Sequence, residues 1–483
     1  MPKSLKIFLY TAAGLVGLLV ILLAIASRFI DVNALRPRLE AAAARASGMQ
    51  VQIEGDLYID FFPGISLTLN RVQVRNRGIP LAKAEQARLR IEIVSVLKNR
   101  PRVQSVAITR ATLSIERDRQ GVFNFEQTDK PKGVPRTLDL TSLSVKHGSI
   151  VYLDQQSGRK TRGEACSLEA SRLRLSGVSG VELMKNIDVN ATLACDRVHS
   201  EKIAFANLNA TVQGAKGHYH FQRASMQVFG GQGTAEAKAD FSREPPHWQV
   251  HYRLNRFRVE KLLEILQPKY TVKGILDFSA QLSANGKTWK SLQESASGEV
   301  SLRGEDLSLE GRDLDLELAR YDSTQNFNLI DVGALFFAGP VGIAVTKGYD
   351  FSKLFRGKGG TTSIHEMVSQ WRVEHGVAEA EDVAIATREN FLAVQGGLDF
   401  VNKRFEHLTV ALVDTRGCTR IRQKIRGPFR KPVVDKPNII QAVTAPVRKL
   451  LKKAKEVFTG PHCELFYRGA LLESNPPEGT PSG

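Results

Sequence analysis

From Val51 onward apolar side chains recur at every second position, and this regularity restricts the fold more than any other feature of the chain. Ile65, Leu67 and Leu69 alternate with Ser66, Thr68 and Asn70, and Val72 and Val74 follow with Gln73 and Arg75. Leu89 to Ile93, Val106 to Ile108 and Leu113 to Glu116 continue the pattern, with turn signals between them at Pro63-Gly64, Arg77-Gly78, Asn99-Arg100-Pro101 and Gln120-Gly121. A period of two is that of a half-buried strand, because successive side chains leave a pleated backbone on opposite faces. Further strand-like stretches run at Thr192 to Ala194, Ala204 to Val212, Ala224 to Phe229, Gly233 to Phe241, Gln249 to Leu254, Gly274 to Leu282 and Gly298 to Leu302. The body is therefore predicted to be mostly β. Wholesale disorder is excluded by an apolar fraction of 42% and a charged fraction of 24%, both near globular averages.

Helical spacing is confined to a few places. Asn33 and Asp31 offer capping side chains to a short helix through Leu35, Leu39 and Ala42 to Ala46, closed by Gly48. Further helices are expected at Val259 to Leu266, Leu314 to Arg320, Ile364 to Gln370 and, as a pair, between Ile439 and Phe458. A faint internal likeness links the segment from Ser105 to Ile115 with that from Ser142 to Tyr152. Each leads into an Asp and then a Gly: Asp118 and Gly121 in one, Asp154 and Gly158 in the other. Duplication of a hairpin unit and coincidence within an alternating sequence both explain it.

Ile7 to Ala26 is an uncharged apolar run of 20 residues, long enough to span a bilayer's hydrocarbon core as a helix. Ile7, Leu15, Leu19 and Ile25 stand for the residues of this expected anchor. The stretch Ala24-Ile25-Ala26 resembles a signal-peptidase site, but signal peptides have shorter apolar regions, so the length favours an uncleaved anchor. Lys3 and Lys6 precede it, which predicts a cytoplasmic N-terminus at residues 1–6 and an exported body. The uncharged run from Val332 to Thr346 is too short to span and is expected to be buried.

The chain has four cysteines, Cys166 and Cys195 in one region and Cys418 and Cys463 in another, with no metal-ligand spacing. In an oxidising compartment two bridges are the natural reading, and four buried thiols are the alternative if the topology is inverted. The formal net charge is +17, and between Cys418 and Lys453 eleven basic residues stand against one acidic residue. Lys449, Lys452, Lys453 and Lys455 surround an amphipathic pattern there, the arrangement of a helix lying on anionic lipid or of a packed helix with a solvated face. Nucleic acid is a poorer partner, because aromatics are sparse in that segment and no binding motif accompanies the charge. No H-E-x-x-H, G-x-S-x-G, P-loop or dinucleotide-binding pattern occurs, so no catalytic or metal residues are assigned, no cofactor is expected, and the protein is read as no enzyme. His218 and His220 flank Tyr219 on a predicted strand without a third ligand nearby.

Several fragments resemble the AsmA family of Gram-negative envelope proteins, in order and along nearly the whole length. They include the helix from Asn33 to Glu40, the stretch from Ala46 to Leu57, Phe62-Pro63-Gly64, Phe336 to Val341, Thr346 to Phe351, Trp371 to Ala378, Gly397 to Phe400, Gly417-Cys418, Ile425 to Phe429 and Cys463 to Gly469. The resemblance implies an N-terminal transmembrane helix in the bacterial inner membrane followed by an elongated, curved, groove-like antiparallel β-sheet in the periplasm, with a few flanking helices. It divides the chain into an N-terminal β region at 31–255 and a C-terminal region at 256–472, and the composition of 473–483 is that of a disordered tail. It also implies a role in outer-membrane biogenesis, with phospholipid or another acylated envelope lipid as ligand, outer-membrane assembly proteins as partners and no nucleic acid. A scaffold that binds other envelope proteins without carrying lipid is the second function class. A sheet with one apolar face suits the first, since acyl chains lie on it without water.

Overall fold

The computed structural model describes residues 32–61, 64–92, 102–120, 122–125, 137–176, 184–201, 203–266, 272–311, 313–319, 359–429, 431–435, 438–439 and 463–473. The expected anchor 7–26, the run 332–346, the lysines Lys449, Lys452, Lys453 and Lys455 and the tail beyond Glu473 lie outside them. Among the described residues no helix is long and apolar enough to cross a membrane. The described chain is mostly β and divides into two compact units, Met1–Gln222 and Arg223–Gly483.

The first unit opens with a 3-10 turn, Val32–Leu35, and helix α1, Arg36–Ser47, with Pro37 in its first turn. Gly48 ends it at φ 72°, its N–H bonding to the Ala44 carbonyl at 2.8 Å, a conformation open to a residue without Cβ. Asn33 does not cap this helix, because the 3-10 turn intervenes. Its Oδ1 accepts instead from the Leu57 N–H at 3.1 Å, while Glu40 Oε1 accepts from the Ile53 N–H at 2.7 Å. Both amides flank the break between β1 (Gln50–Ile53) and β2 (Leu57–Asp60), so helix side chains serve the backbone where the edge strand is interrupted.

Both short strands pair antiparallel with β3 (Ser66–Asn76), which is followed by β4 (Ile79–Ile91) and β5 (Val103–Arg117). The expected strands at 106–108 and 113–116 are parts of β5, joined without a turn. One departure from the antiparallel expectation follows: β6 (Thr137–Asp154) lies parallel to β5, from Ser105 opposite Ser142 to Arg117 opposite Asp154. The two similar segments of the sequence are thus side by side and in register. Their likeness extends to conformation, since Arg110 and His147 adopt φ of 49° and 53°. Asp118 accepts from the Gln120 and Val122 N–H groups, and Asp154 from the Gln156 N–H and the Ser157 hydroxyl. Strands β7 (Arg159–Ser176), β8 (Ile187–Ser200) and β9 (Ile203–Ala215) continue antiparallel, and β10 (His218–Val228) contains the boundary between the units.

In the second unit each strand pairs antiparallel with the next: β11 (Gly231–Asp240), β12 (His247–Arg258), β13 (Val272–Asn285), β14 (Ser297–Glu310), β15 (Thr361–Glu374), β16 (Val377–Thr387), β17 (Phe391–Asp399), β18 (Arg404–Val413) and β19 (Thr419–Pro428). The two-residue strands β20 (Val433–Val434) and β21 (Asn438–Ile439) pair with β19, so Ile439 belongs to a strand rather than to the expected helix. Helices α2 (Val259–Leu266), α3 (Trp289–Ser295), α4 (Leu314–Ala319) and α5 (Ala470–Glu473) flank the sheet. Glu473 therefore closes a helix and does not begin the tail. The segment 364–370, expected as a helix, lies within β15. Ile364, Met367 and Trp371 mimic a helical period because the strand takes a three-residue step after Ile364, where its pairing with β16 shifts register, and Val368 is buried on the opposite face under the C-terminal segment.

Candidate functional site

Strand register gathers the alternating residues of the first unit into rows that cross the strands. Leu67, Leu89, Val106, Leu143, Ala170, Ala191 and Val212 face one another from β3 to β9, and so do Leu69, Ala87, Ile108, Val145, Leu168, Leu193 and Ala210. The row between them belongs to the other face: Thr68, Arg88, Ala107, Ser144, Glu169, Thr192 and Thr211. That face is held by polar contacts, such as Ser144 Oγ to Glu169 Oε1 at 2.7 Å. Strands spaced at about 4.8 Å carry the apolar rows roughly 29 Å across β3 to β9.

The apolar face continues past a break in the alternation that recurs in β3, β5, β6, β7 and β9. The step from Leu69 to Val72 is three residues, not two, and the same holds for Ile108 to Ala111, Val145 to Gly148, Gly163 to Cys166 and Phe205 to Leu208. At each step sits a residue in the left-handed region: Arg71, Arg110, His147, Ala165 and Asn207, with φ between 49° and 53°. An extra residue in that conformation absorbs one position, so the following side chains return to the same face. These residues are exposed, and Arg110 bonds Glu85 of the facing strand at 2.5 Å. From β3 to β6 the face resumes beyond the break with Val72, Ala84, Ala111 and Gly148, which share a row with Cys166, Cys195 and Leu208, two residues from Leu168, Leu193 and Ala210.

Cys166 and Cys195 are directly opposite in register and joined by a disulfide, 3% and 4% exposed, so the first bridge lies on the apolar face where β7 meets β8. Small residues make room for it. A Cβ on Gly163 would stand 2.9 Å from Cys166 Sγ, and one on Gly148 would stand 3.3 Å from the Cys166 carbonyl.

Cover over the face is uneven. At the β2 to β4 end Leu57, Leu67, Leu69 and Ala87 are buried in one cluster with Val32 and Ile53, and Leu35 and Leu39 of the N-terminal turn and α1 pack against it. From β5 to β9 the large members Val106, Ile108, Leu143, Val145, Leu168, Leu193 and Val212 are only half-buried. The helix thus closes one end of an apolar surface whose remainder keeps some exposure.

Strands β14 to β19 of the second unit are filled instead, whereas Val250 of β12 is 39% exposed and Tyr252, Phe278 and Leu282 are half-buried. Ile364, Ile385, Leu392, Leu408, Leu412 and Ile421 are 0–1% exposed, as are Leu314 and Leu318 of α4. That helix is tied to the β16–β17 turn through Asp315 Oδ1, which accepts from Asn390 Nδ2 at 2.7 Å. On the other face Val368, Ala384, Ala386, Phe391, Ala393, Ala411 and Val413 pack with Tyr467 and Leu471 of the C-terminal segment. The Cys418–Cys463 disulfide and backbone bonds from Thr419 to Glu464 and from Phe466 to Gly417 fasten that segment.

Tyr467 Oη donates to Asp382 Oδ1 at 2.5 Å, and the Ala470 N–H donates to the other carboxylate oxygen at 3.1 Å. Burial, with the Asp382 carboxylate beside it, pushes the phenol well above its usual pKa. The folded protein therefore holds this proton more tightly than the unfolded chain. Its stabilisation is complete below the unfolded phenol's pKa of about 10 and is lost as pH rises above that value. Tyr467→Phe is expected to cost about 1–3 kcal/mol at neutral pH and to flatten the loss on alkaline titration. Urea midpoints at pH ~8 and pH ~10.5 check both statements.

Of the residues singled out in the sequence, the structure joins the two cysteine pairs as expected. It places His218 exposed and His220 half-buried on β10 around buried Tyr219, whose Oη donates to the Met184 carbonyl at 2.5 Å. Among the described residues no group of three or more His, Cys, Asp and Glu is arranged to hold a metal. The apolar rows were not assignable beforehand, although the three-residue steps that mark their bends are visible in the sequence. A model of the AsmA family matches residues 1–179 and 174–382. No curated protein and no solved structure matches the chain.

Proposed function

The chain belongs to the AsmA family, with an envelope- and outer-membrane-related role in general, and from that premise we propose that it is a non-enzymatic carrier of acylated lipid. The observation that supports this reading is the apolar face of the first unit, continuous across seven strands, polar on its reverse, and only half-buried from β5 to β9. Acyl chains laid along the rows would remove the exposed remainder of Ile108, Val145, Leu168 and Leu193 from water, at about 25 cal/mol per Å² of apolar area. A phospholipid headgroup would stay at the solvated margin. The apolar run 7–26 would anchor the chain in the inner membrane with the body in the periplasm, the compartment that also suits two disulfides. Through this ligand the protein would influence outer-membrane biogenesis, including outer-membrane protein assembly.

Delipidated protein is expected to take up fluorescent phospholipid and to comigrate with it through gel filtration. Failure to do so, beside an established lipid carrier that succeeds, would sink the proposal. A second reading rests on β14 to β19 of the second unit, where the sheet is covered by the protein's own side chains. There the protein would act as a scaffold for other envelope proteins, and crosslinking in cells that recovers partners but no lipid would favour it.

A further inference from the structure

Two ends of the second unit's strands differ sharply in charge. The connections after β11, β13, β15, β17 and β19 lie at one end, because His247 pairs with Asp240 and Asn285, Ser297 with Ser283, Val377 with Glu374 and Asp399, and Arg404 with Asp399 and Pro428. The described residues of these connections, 241–246, 286–296, 375–376, 400–403, 429 and 431–432, contain five basic and two acidic residues. The described residues of the connections at the opposite end, 229–230, 259–266, 311, 313–319, 359–360, 388–390 and 414–418, contain three basic and seven acidic residues.

At the basic end sits the most exposed large apolar side chain among the described residues. Trp289, the first residue of α3, is 76% exposed, while Trp371 is 6% exposed. The α3 N-terminus is fixed by a reciprocal capping box between Thr288 and Ser291, so the indole is presented from an ordered turn. Lys287 and Lys290 flank it in the sequence, both exposed and each in a weak surface ion pair, Lys287 with Glu244 at 2.5 Å and Lys290 with Glu294 at 3.7 Å, which a lipid phosphate can replace. Lys403 and Lys431 are exposed at neighbouring turns of the same end.

An indole held in water beside lysines is the chemistry of a bilayer interface, where the ring lies at headgroup depth and the ammonium groups meet lipid phosphates. We propose that this end of the second unit docks on an anionic lipid surface, with Trp289 at headgroup depth and Lys287, Lys290, Lys403 and Lys431 supplying the attraction. The site is built from residues other than those of the apolar rows in the first unit and other than Lys449, Lys452, Lys453 and Lys455. It concerns the bilayer as partner and does not require that the protein carry lipid.

The test uses the full chain held in phosphatidylcholine nanodiscs and mixed with vesicles of brominated phosphatidylcholine and phosphatidylglycerol. Quenching of tryptophan fluorescence and cosedimentation are both read. Binding that weakens with added salt is expected, together with a loss of most of the quenching in Trp289→Ala. Joint reversal of Lys287, Lys290, Lys403 and Lys431 to glutamate should weaken vesicle binding at least about tenfold. All these positions are exposed, so near-UV circular dichroism should remain that of the parent. The proposal is overturned if Trp289→Ala and the four-lysine variant bind and quench like the parent, if vesicles of phosphatidylcholine alone bind equally well, or if binding is lost only when Lys449, Lys452, Lys453 and Lys455 are reversed. Sedimentation showing that Trp289 is instead protected by a second copy of the chain would also overturn it.

Discussion

Leu168→Glu combined with Leu193→Glu is expected to lower phospholipid uptake by the delipidated protein at least about tenfold, a change equal to roughly 1.4 kcal/mol. The two residues are cross-strand partners on β7 and β8, near the middle of the apolar rows and next to the Cys166–Cys195 bridge. Each is half-buried, so carboxylates there can reach water in the unloaded protein, at the expense of mutual repulsion across the strand pair. When an acyl chain arrives that water must leave. Desolvating a carboxylate without a partner costs several kcal/mol, which exceeds the contribution a leucine makes to the apolar contact. The control is on the reverse face: Thr192→Glu adds a charge at the position next to Leu193, but its side chain points the other way. Uptake that falls as far in Thr192→Glu as in the double variant would mean that the rows do not hold the lipid. Thermal unfolding of both variants separates loss of ligand from loss of fold.

Removing the second disulfide has the largest predicted effect on stability. Cys418 and Cys463 are 45 residues apart in sequence, and chain-entropy bookkeeping gives such a closure about 4 kcal/mol. The consequence extends beyond entropy, because the segment from Cys463 supplies Tyr467 and Leu471 to one face of β15–β18. Cys418→Ala with Cys463→Ala is therefore expected to uncover Val368, Ala384, Phe391 and Ala411 and to increase binding of a hydrophobic dye. It should also open 463–473 to proteolysis and lower the denaturant midpoint of the second unit. Gly417→Ala tests the same contact by another route: Gly417 adopts φ 80°, and an added Cβ would collide with the Tyr467 carbonyl. If neither variant exposes the segment, its attachment does not depend on this bridge.

Much of the architecture was readable from local pattern. The alternation at Leu67, Leu69, Val72 and Val74 marked β3, and the same reasoning found α2 and the core of α4, where apolar residues recur at helical spacing. Segment 364–370 was misread because a register shift after Ile364, together with burial of Val368 on the opposite face, imitates a helical period. Asn33 was misassigned as a cap because its partner, the Leu57 N–H, is remote in sequence. The likeness between the segments at Ser105 and Ser142 suggested a hairpin unit. Only the fold placed the two copies parallel and in register, a pairing that depends on the path of the chain between them.

By itself the sequence determined that the chain forms strands with one apolar and one polar edge, that it carries an apolar run at 7–26, and that its cysteines fall into two regional pairs. These follow from backbone pleat, side-chain transfer into an apolar phase and spacing, all of which act locally. The tertiary structure decided which apolar residues share a face, since a slip of one position in any pairing would turn Leu168 or Leu193 to the opposite side. It also decided that the left-handed residues Arg71, Arg110, His147, Ala165 and Asn207 keep the rows aligned across their bends. Partial exposure of the face in the first unit and complete filling of β14 to β19 in the second were settled in the same way, because cover depends on which distant segment packs on a sheet, and alternation is silent on that.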